Sequence, residues 1–435
     1  MMSRAFRSAA VLGGLALPLP ALAQAAAPTV LTVADNADSG DTAWVLAAAL
    51  VALIGFGPGL ALLYAGRLRD GARAALLVAA AGAAGSVLWA VVGYTLAYGA
   101  DSAGVLGAGN GWMLIALGEV REGSSVPESA FVFFEMVPAL FAAALIIGAW
   151  AGRARFAWAL GFLALWGLVV YAPIAHWLWG GGWLATRFGA IDYGGGLVIH
   201  LAAATSALAT SLLIGRRADS AMAEPAPPRV LAGTGLVWLG ALALAGGKAA
   251  GASDDAASAM LASQVAIATA VLVWIGFDSR KDGRPGADGI VLGALSGIAA
   301  IAAGAGGLSP GAAMVTGLLG ALAARGAAGL FARAPFDDPM AIGATSGAAG
   351  LTGAVLTAVF ADPRLGGTGY APGMDFGRQV VAELAAGAVI VGWSAVASVI
   401  LALMVSAVIP MSELSPRRRA RRNETVELAA EASDA

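Results

Sequence analysis

Residues 42–66 read TAWVLAAALVALIGFGPGLALLYAG, a run without a single charged residue. A helix needs roughly 20 consecutive apolar residues to cross the hydrocarbon core of a bilayer, so this run predicts a transmembrane helix. The rest of the chain has the same character: 59% of its 435 residues are hydrophobic, 12% are charged, and the mean hydropathy is +0.81. Soluble globular proteins carry about 25% charged residues. The composition therefore excludes a water-soluble protein and predicts a polytopic membrane protein in a lipid bilayer.

Further runs of this kind follow along the chain. They bring the total to eleven, at residues 42–66, 74–98, 126–151, 156–179, 193–215, 230–251, 256–277, 287–304, 309–331, 339–361 and 379–410. We therefore predict an all-α polytopic membrane protein with eleven transmembrane helices. An odd-numbered unit repeated in tandem has inverted topology. Eleven helices then suggest a five-plus-five inverted repeat with one extra helix, and His200 and Ser346 each follow an aspartate, Asp192 or Asp338, by eight residues.

The two ends of the chain differ from the apolar runs. Residues 1–23 combine two early arginines with a short apolar stretch that ends in Ala21-Leu22-Ala23, the pattern of a cleaved signal peptide. Residues 24–412 then form the membrane domain, and 413–435 form a basic, then acidic, cytoplasmic tail. Asp41 is predicted to cap the first helix at its N-terminus.

Basic residues predict the orientation, because cytoplasmic loops are enriched in arginine and lysine. With the mature N-terminus outside, the outer stretches hold only Arg121, Arg187, Arg364 and Arg378. Every other arginine or lysine outside the signal segment, except Lys248, then falls on the cytoplasmic side. We therefore expect a protein of the inner (plasma) membrane whose C-terminus is cytoplasmic.

Several classes of site are excluded by residue counts. The chain has no cysteine, and its only histidines are His176 and His200, so thiolate and multi-histidine metal sites are ruled out. No serine nucleophile, histidine and aspartate are arranged around a cleft, and the glycine clusters lack the preceding strand of a phosphate loop. We therefore expect no enzyme, no cofactor or metal, and no nucleic-acid partner.

One charged residue lies inside an apolar run, at residues 241–252, ALALAGGKAAGA. A lysine at the middle of a membrane helix costs about 2.5–3.5 kcal/mol, so Lys248 is expected to face a partner or a cavity. Counting residues from the ends of the apolar runs places Glu135 and Trp179 at the same depth in the membrane as Lys248, with His200 deeper. The simpler alternatives are a structural Lys248–Glu135 ion pair, an interfacial anchor for Trp179 and a satisfied buried histidine. For Asp192, an N-cap of the fifth helix is a more common role than a ligand.

The stretches that carry a family resemblance are DTAWVLAAALVALIGFGPGLALLYAG, LWAVVGYTLAYG, YAPIAHWLWGGGWLA, IDYGGGLVIH, GTGLVWLG and FDDPM. Together they resemble, in order and over residues 41–410, the signature stretches of the ammonium transporter (Amt/Rh) family. The resemblance implies an eleven-helix protomer, a homotrimer, and a narrow hydrophobic pore in each protomer that conducts ammonium-derived nitrogen.

In this family, a tryptophan and a serine recruit ammonium, two phenylalanines gate the pore, and two stacked histidines line it. By position, the resemblance implies that Trp179 is the recruiting tryptophan, Asp192 the aspartate that supports it, and His200 the first pore histidine. An indole face attracts a cation by about 0.5–2 kcal/mol, which fits the first role.

The remaining matched positions depart from the family pattern. The places of the recruiting serine, the second histidine and the two gating phenylalanines hold Lys248, Ser346, Pro138 and Leu244, respectively. Glu135 stands where glutamine is usual, and its neighbour Phe134 is also predicted to line the pore. In the tail, the family's glycine-aspartate and histidine-glycine-glutamate stretches are not recognisable, which leaves regulation by a P-II protein doubtful.

Three functions stay open at this point. The first is a transporter or channel for ammonium (NH4+/NH3) with an altered pore. The second is a non-conducting ammonium sensor or regulatory subunit, and the third is a pore for another small polar solute. Lys248 bears on all three, because it could occupy the recruiting site as a built-in cation or, as a neutral amine, accept a proton from ammonium.

Overall fold

The computed structural model describes residues 31–32, 37–109, 112–115, 117, 119–120, 124–150, 152–216, 222 and 226–412. The predicted signal peptide at 1–23, the predicted tail at 413–435 and Arg121 lie outside these residues.

Eleven apolar helices form the described structure, as predicted. Ten are at least 18 residues long, and the eighth, with 16, is shorter. In chain order they are α1 Ser39–Arg67, α2 Gly71–Tyr98, α3 Glu128–Trp150, α4 Phe156–Thr186, α5 Gly196–Ile214, α6 Pro227–Gly247, α7 Asp254–Asp282, α8 Ala287–Ala302, α9 Pro310–Phe331, α10 Gly343–Phe360 and α11 Phe376–Ser406.

Two helix ends differ from the prediction. Asp38, rather than Asp41, caps α1: its Oδ1 accepts a hydrogen bond from the backbone N–H of Asp41 at 2.9 Å. Asp41 instead lies in the first turn of α1, where its carboxylate accepts from the Ser125 hydroxyl at 2.6 Å. The fourth helix does not end at Trp179 but resumes after a glycine-rich break as the single turn Trp183–Thr186.

Short strands complete the described structure. The strand β1 (Leu31–Thr32) pairs antiparallel with β4 (Glu119–Val120), and β2 (Ala100–Ser102) pairs antiparallel with β3 (Leu106–Ala108). They belong to the segments before α1 and between α2 and α3, so the membrane-spanning region is entirely helical.

Successive helices alternate in direction and give the bundle two ends. We call them the Asp192 face, where α4 ends and α5 begins, and the Asp338 face, where α9 ends and α10 begins. The helices α5 and α10 therefore begin at opposite faces, as the predicted inverted repeat requires.

The N-terminal ends of α5 and α10 have matching local structure. Asp192 accepts hydrogen bonds from the backbone N–H groups of Gly195, Leu197 and Val198 at 2.8–3.2 Å. Asp338 does the same for Ile342 and Gly343 at 2.9 and 2.7 Å.

These two helix starts also share an unusual backbone. The residue three positions after each aspartate, Gly195 or Ala341, has a positive φ, of 96° or 53°. The first turns that follow are π-helical, at Gly196–Leu201 and Gly343–Ala348. π-Helical turns are rare in proteins overall, and those that occur are often found at functional sites. They present His200 and Ser346 at equivalent positions of the two halves.

Small residues let these helices pack backbone to backbone. At the crossing of α1 and α6, a side chain on Gly55 would put its Cβ 2.5 Å from the Cα of Gly240. At the crossing of α8 and α10, a Cβ on Gly353 would lie 1.8 Å from the Ala300 carbonyl oxygen. Close approach through glycine and alanine is the usual mode of helix association in membranes. The glycines at these two crossings are thus packing positions.

Candidate functional site

Lys248 ends α6 near the Asp192 face and turns its side chain into the bundle. Its Nζ lies 2.8 Å from Oε1 and 2.9 Å from Oε2 of Glu135 on α3. The same Nζ lies 3.5 Å from the centroid of a Trp179 ring. Both members of the ion pair are removed from solvent, with 9% of the Lys248 side chain and 4% of the Glu135 side chain exposed. Lys248 is therefore in direct contact with both residues that were predicted to lie at its depth, Glu135 and Trp179.

Glu135 also receives a hydrogen bond that the sequence did not suggest. The Tyr98 hydroxyl at the end of α2 donates to Oε2 of Glu135 at 2.6 Å. The carboxylate thus accepts hydrogen bonds from the Lys248 ammonium and the Tyr98 phenol at once, in a buried place. Charge-assisted bonds of this kind are roughly twice as strong as neutral ones.

The end of α6 is held by side chains from other elements. Trp44 of α1 donates its indole N–H to the Gly246 carbonyl at 2.9 Å, and the Tyr193 hydroxyl donates to the Ala245 carbonyl at 2.9 Å. Phe134 packs against Gly247 so closely that a Cβ there would lie 2.3 Å from its ring. These contacts satisfy carbonyls that a helix end leaves free and fix the backbone position of Lys248.

Trp179 is positioned by the loop that leads into α5. Its indole N–H donates to the backbone carbonyl of Asp192. Burial raises the pKa of the Asp192 carboxyl to about 6, while hydrogen bonds from the Val198 and Leu197 backbone N–H groups oppose the rise. The carboxylate is therefore mostly ionised at neutral pH. The N-cap of α5 is Gly195 rather than Asp192. Asp192, three residues earlier, accepts the free N–H groups of the first turn with its carboxylate and, through its carbonyl, orients the indole over Lys248.

A cavity extends from the Asp192 end of the bundle, beside Ala245 and Gly194, inward to His200. The space between its lining residues, its opening included, amounts to about 340 Å³. Its lining is mainly aliphatic and includes Leu244, Ala241 and Ile267, with Ser263 and His200 as polar members. Two phenylalanines, Phe56 and Phe141, complete one wall. Such a lining favours small uncharged solutes over hydrated ions.

His200 and Ser346 meet where the two π-helical turns come together. The Nδ1 of His200 lies 3.4 Å from the Ser346 hydroxyl oxygen, and both side chains are buried. This distance is at the long end for a hydrogen bond. The ring edge of His200 packs against Phe141, with the centroids 5.5 Å apart. A serine hydroxyl can donate a hydrogen bond to the imidazole or accept one from it. His200 and Ser346 can therefore connect the two halves of the inverted repeat through a hydrogen bond.

The predicted site residues fall into two groups in the structure. The entrance group holds Lys248, Glu135 and Trp179, with Phe134 and Asp192 as packing and positioning neighbours. The deeper group holds Leu244 and His200 in the cavity, with Ser346 beside the histidine. Pro138 is buried within α3, but it is not among the described residues that line the cavity.

Sequence reasoning missed Tyr98, Phe56 and Phe141. Each lies in an apolar run, where an aromatic side chain is expected simply to pack in the protein interior. Neither the composition nor the spacing of the apolar residues therefore distinguishes these three as site residues. Phe141 lies six residues after Glu135 on α3, a spacing that does not put the two side chains on one face of a helix, so the sequence pattern did not indicate its position. Among the described residues, no group of three or more histidines and acids is close enough to hold a metal ion.

Comparison with known proteins gives a consistent result. Residues 43–418 match the sequence profile of the Ammonium Transporter Family. An ammonium transporter of Aquifex aeolicus is 35% identical over 381 residues, which cover 86% of this chain and 88% of that protein. The ammonium transporter Amt1 of Archaeoglobus fulgidus is 34% identical over 378 residues, or 85% and 93% of the two chains.

A solved structure agrees with these relatives. The crystal structure of Saccharomyces cerevisiae Mep2 superimposes with a TM-score of 0.79 at 27% identity, covering 87% of this chain and 90% of that one. The profile match and the relatives each span most of the membrane domain. This chain is therefore a member of the ammonium transporter family.

Proposed function

We propose that this protein forms a transmembrane pathway for ammonium-derived nitrogen whose entrance is already occupied by a tethered cation, the ammonium group of Lys248. The observation that carries the proposal is the position of Nζ, bound to both Glu135 oxygens and 3.5 Å from the centroid of a Trp179 ring. A free ammonium ion is the same chemical group without the tether. The groups that would hold it are already engaged.

Electrostatics argues against a second cation at this entrance. Two like charges 4 Å apart repel by about 4 kcal/mol at an effective dielectric constant of 20. Since about 1.4 kcal/mol corresponds to a factor of ten in affinity, the lysine would weaken ammonium binding by roughly a thousandfold. Recruitment of the charged form is therefore expected to be minor.

The cavity is compatible with the neutral form. Its apolar walls offer little to replace the hydration of an ion, whereas ammonia loses less on dehydration. Ser263 and His200 are the polar groups of its lining, and His200 lies close to Ser346. We propose that ammonia passes along this path at a low rate that rises linearly with concentration, because no entrance site saturates.

The membrane placement belongs to the same proposal. Arg67, Arg153, Arg216 and Arg333 cluster at helix ends of the Asp338 face, which supports a cytoplasmic position for that face. The Asp192 face and the mature N-terminus would then be outside the inner membrane, with the membrane domain at 24–412 and the tail at 413–435 cytoplasmic. A homotrimer is proposed on family grounds alone.

The test is ammonium flux through purified protein in proteoliposomes made from saturated lipid and sterol, which slow passage through the bilayer itself. An internal pH dye reports the influx of ammonia. The unaltered protein should exceed protein-free liposomes, with a rate linear in ammonium concentration, and His200→Ala should return the rate to the protein-free value. A saturating rate in the unaltered protein, or no effect of His200→Ala in a normally folded sample, would contradict the proposal.

A second function is favoured by the same lysine. If the tethered cation closes the path completely, the protein would respond to ammonium without conducting it, as a sensor or regulatory subunit. The flux assay separates the two, because a sensor gives no rate above protein-free liposomes.

A further inference from the structure

Two polar side chains lie next to each other in the interior-facing surface of α11. Gln379 and Glu383 are spaced four residues apart, which puts them on one face of the helix, and both are completely buried. The side-chain amide of Gln379 donates to Oε1 of Glu383 at 2.8 Å. Polar residues inside membrane helices are expensive and commonly mark functional positions.

Both side chains bind the loop that leads from α4 into α5. The backbone N–H of Ile191 donates to Oε1 of Glu383 at 2.8 Å. The side-chain amide of Gln379 also donates to the backbone carbonyl of Gly189 at 2.8 Å. The two residues of α11 therefore fix the loop backbone at two points.

The next residue of this loop is the one that orients the indole of the entrance. Asp192 follows Ile191 directly, and its backbone carbonyl accepts the indole N–H of Trp179. The Nζ of Lys248 in turn lies 3.5 Å from the centroid of a Trp179 ring. A continuous series of contacts thus connects Glu383 to the cation at the entrance.

The Asp192 backbone is held on both of its sides. After it, the N–H groups of Tyr193 and Gly194 donate to the carbonyls of Ala303 and Ala302 at the end of α8, at 3.0 and 2.7 Å. Before it, the loop is bound by the two side chains of α11. The position of the Asp192 carbonyl therefore depends on α11 as well as on α8.

The equivalent loop of the other half is held by a different element. There, the backbone carbonyl of Asp337, just before Asp338, accepts from the guanidinium of Arg153 at 3.0 Å. Arg153 belongs to the connection between α3 and α4, inside the first repeat. The helix α11, which is the extra helix of the five-plus-five arrangement, thus supplies the support at the Asp192 face.

This polar pair reduces stability. Among the residues that the structure describes, Oε2 of Glu383 and Oε1 of Gln379 have no hydrogen-bond partner, although both atoms are buried. A buried acceptor without a partner is unfavourable for folding. A role in packing alone would be served better by apolar side chains, so the pair is better explained by what it holds in place.

From these contacts we infer that Gln379 and Glu383 are positioning residues of the entrance. They hold the loop so that the ring face of Trp179 stays against the cation. That cation is the Lys248 ammonium in the unaltered protein and an external ammonium ion in Lys248→Ser. The inference rests on the proposed function, because it takes the place beside Trp179 and Glu135 as the entrance of the path.

The first experiment observes the Trp179 indole directly. Purified protein is labelled with 5-fluorotryptophan, and the ¹⁹F resonance of Trp179 is assigned by its absence from Trp179→Phe. We expect Glu383→Leu to shift or broaden this resonance beyond its linewidth. Glu383→Gln should leave it in place, because the oxygen of a glutamine can accept both hydrogen bonds.

The control for general destabilisation is Leu401→Ala. Leu401 is also buried in α11, but it lies about 27 Å further along the helix than Glu383. Leu401→Ala should leave the Trp179 resonance in place.

The second experiment measures uptake in the Lys248→Ser background, where the rate is expected to saturate. Adding Glu383→Leu should raise the ammonium concentration for half-maximal uptake at least about threefold, because the indole face is no longer held against the cation. The maximal rate should be unchanged, because the substitution does not touch the cavity.

Each outcome has a defined meaning. An unshifted Trp179 resonance in Glu383→Leu, or an equal shift in Leu401→Ala or Glu383→Gln, would overturn the inference. An unchanged half-maximal concentration in a saturating uptake assay would do the same. A Trp179 shift confined to Glu383→Leu, while no variant exceeds protein-free liposomes in uptake, would support the positioning role and refute the proposed function. Gln379→Leu replaces Glu383→Leu if the latter does not elute as a single folded species, and the same comparison then decides.

Discussion

Lys248→Ser is expected to convert a slow, linear ammonium flux into a faster, saturable one. The serine removes the tethered ammonium and leaves Glu135 and the Trp179 face free for an external cation. Removal of a like charge worth about 4 kcal/mol at close range should raise uptake from dilute ammonium by at least tenfold. The measurement is initial rate against ammonium concentration in proteoliposomes.

The chain offers a matched control for this prediction. Its only other lysine, Lys281, is exposed near the end of α7, far along the chain from the entrance. Lys281→Ser should leave the rate and its linear dependence unchanged. If Lys248→Ser behaves like Lys281→Ser, the lysine has no role in controlling ammonium uptake.

Glu135→Gln is expected to destabilise the protein strongly. It leaves the Lys248 ammonium in a buried place without its counter-charge, and breaking a buried ion pair from one side costs about 3–5 kcal/mol. The apparent melting temperature of the detergent-purified protein should fall clearly below that of the unaltered protein. In Glu135→Gln, the Tyr98 hydroxyl can still donate to the side-chain oxygen of the glutamine. A lost Tyr98 hydrogen bond therefore does not add to the destabilisation.

A second variant separates the ion pair from ordinary packing. In Glu135→Gln/Lys248→Ser both charges are removed, and most of the lost stability should return. A double variant that melts as low as Glu135→Gln alone would mean that the carboxylate is needed for local packing and not for the lysine. The predicted coupling would then be wrong.

The membrane fold could be predicted from the sequence because it depends on length and polarity. Runs of about 20 apolar residues leave few alternatives to transmembrane helices, since the backbone must satisfy its own hydrogen bonds in lipid. Helix ends were less well predicted. Asp38 and Asp41 are both suitable caps by type, and only the backbone geometry decides between them.

The entrance could be predicted because buried charges are rare and need partners. Lys248 and Glu135 stand out in apolar helices, and the orientation of the helices puts them at one depth. Phe56 and Phe141 of the cavity wall could not be found in this way. A phenylalanine in an apolar run is ordinary, and whether its ring faces lipid, protein or pore depends on helix rotation and on crossings such as Gly55–Gly240.

The most direct test of a self-occupied entrance is thermal melting of purified protein with ammonium chloride, compared with sodium chloride at equal ionic strength. A ligand at about 100 times its dissociation constant stabilises the folded state by about 2.7 kcal/mol. Ammonium should raise the melting temperature of Lys248→Ser and leave that of the unaltered protein unchanged. Equal stabilisation of both proteins by ammonium would show that the entrance is open to external cations, and the central claim would be wrong.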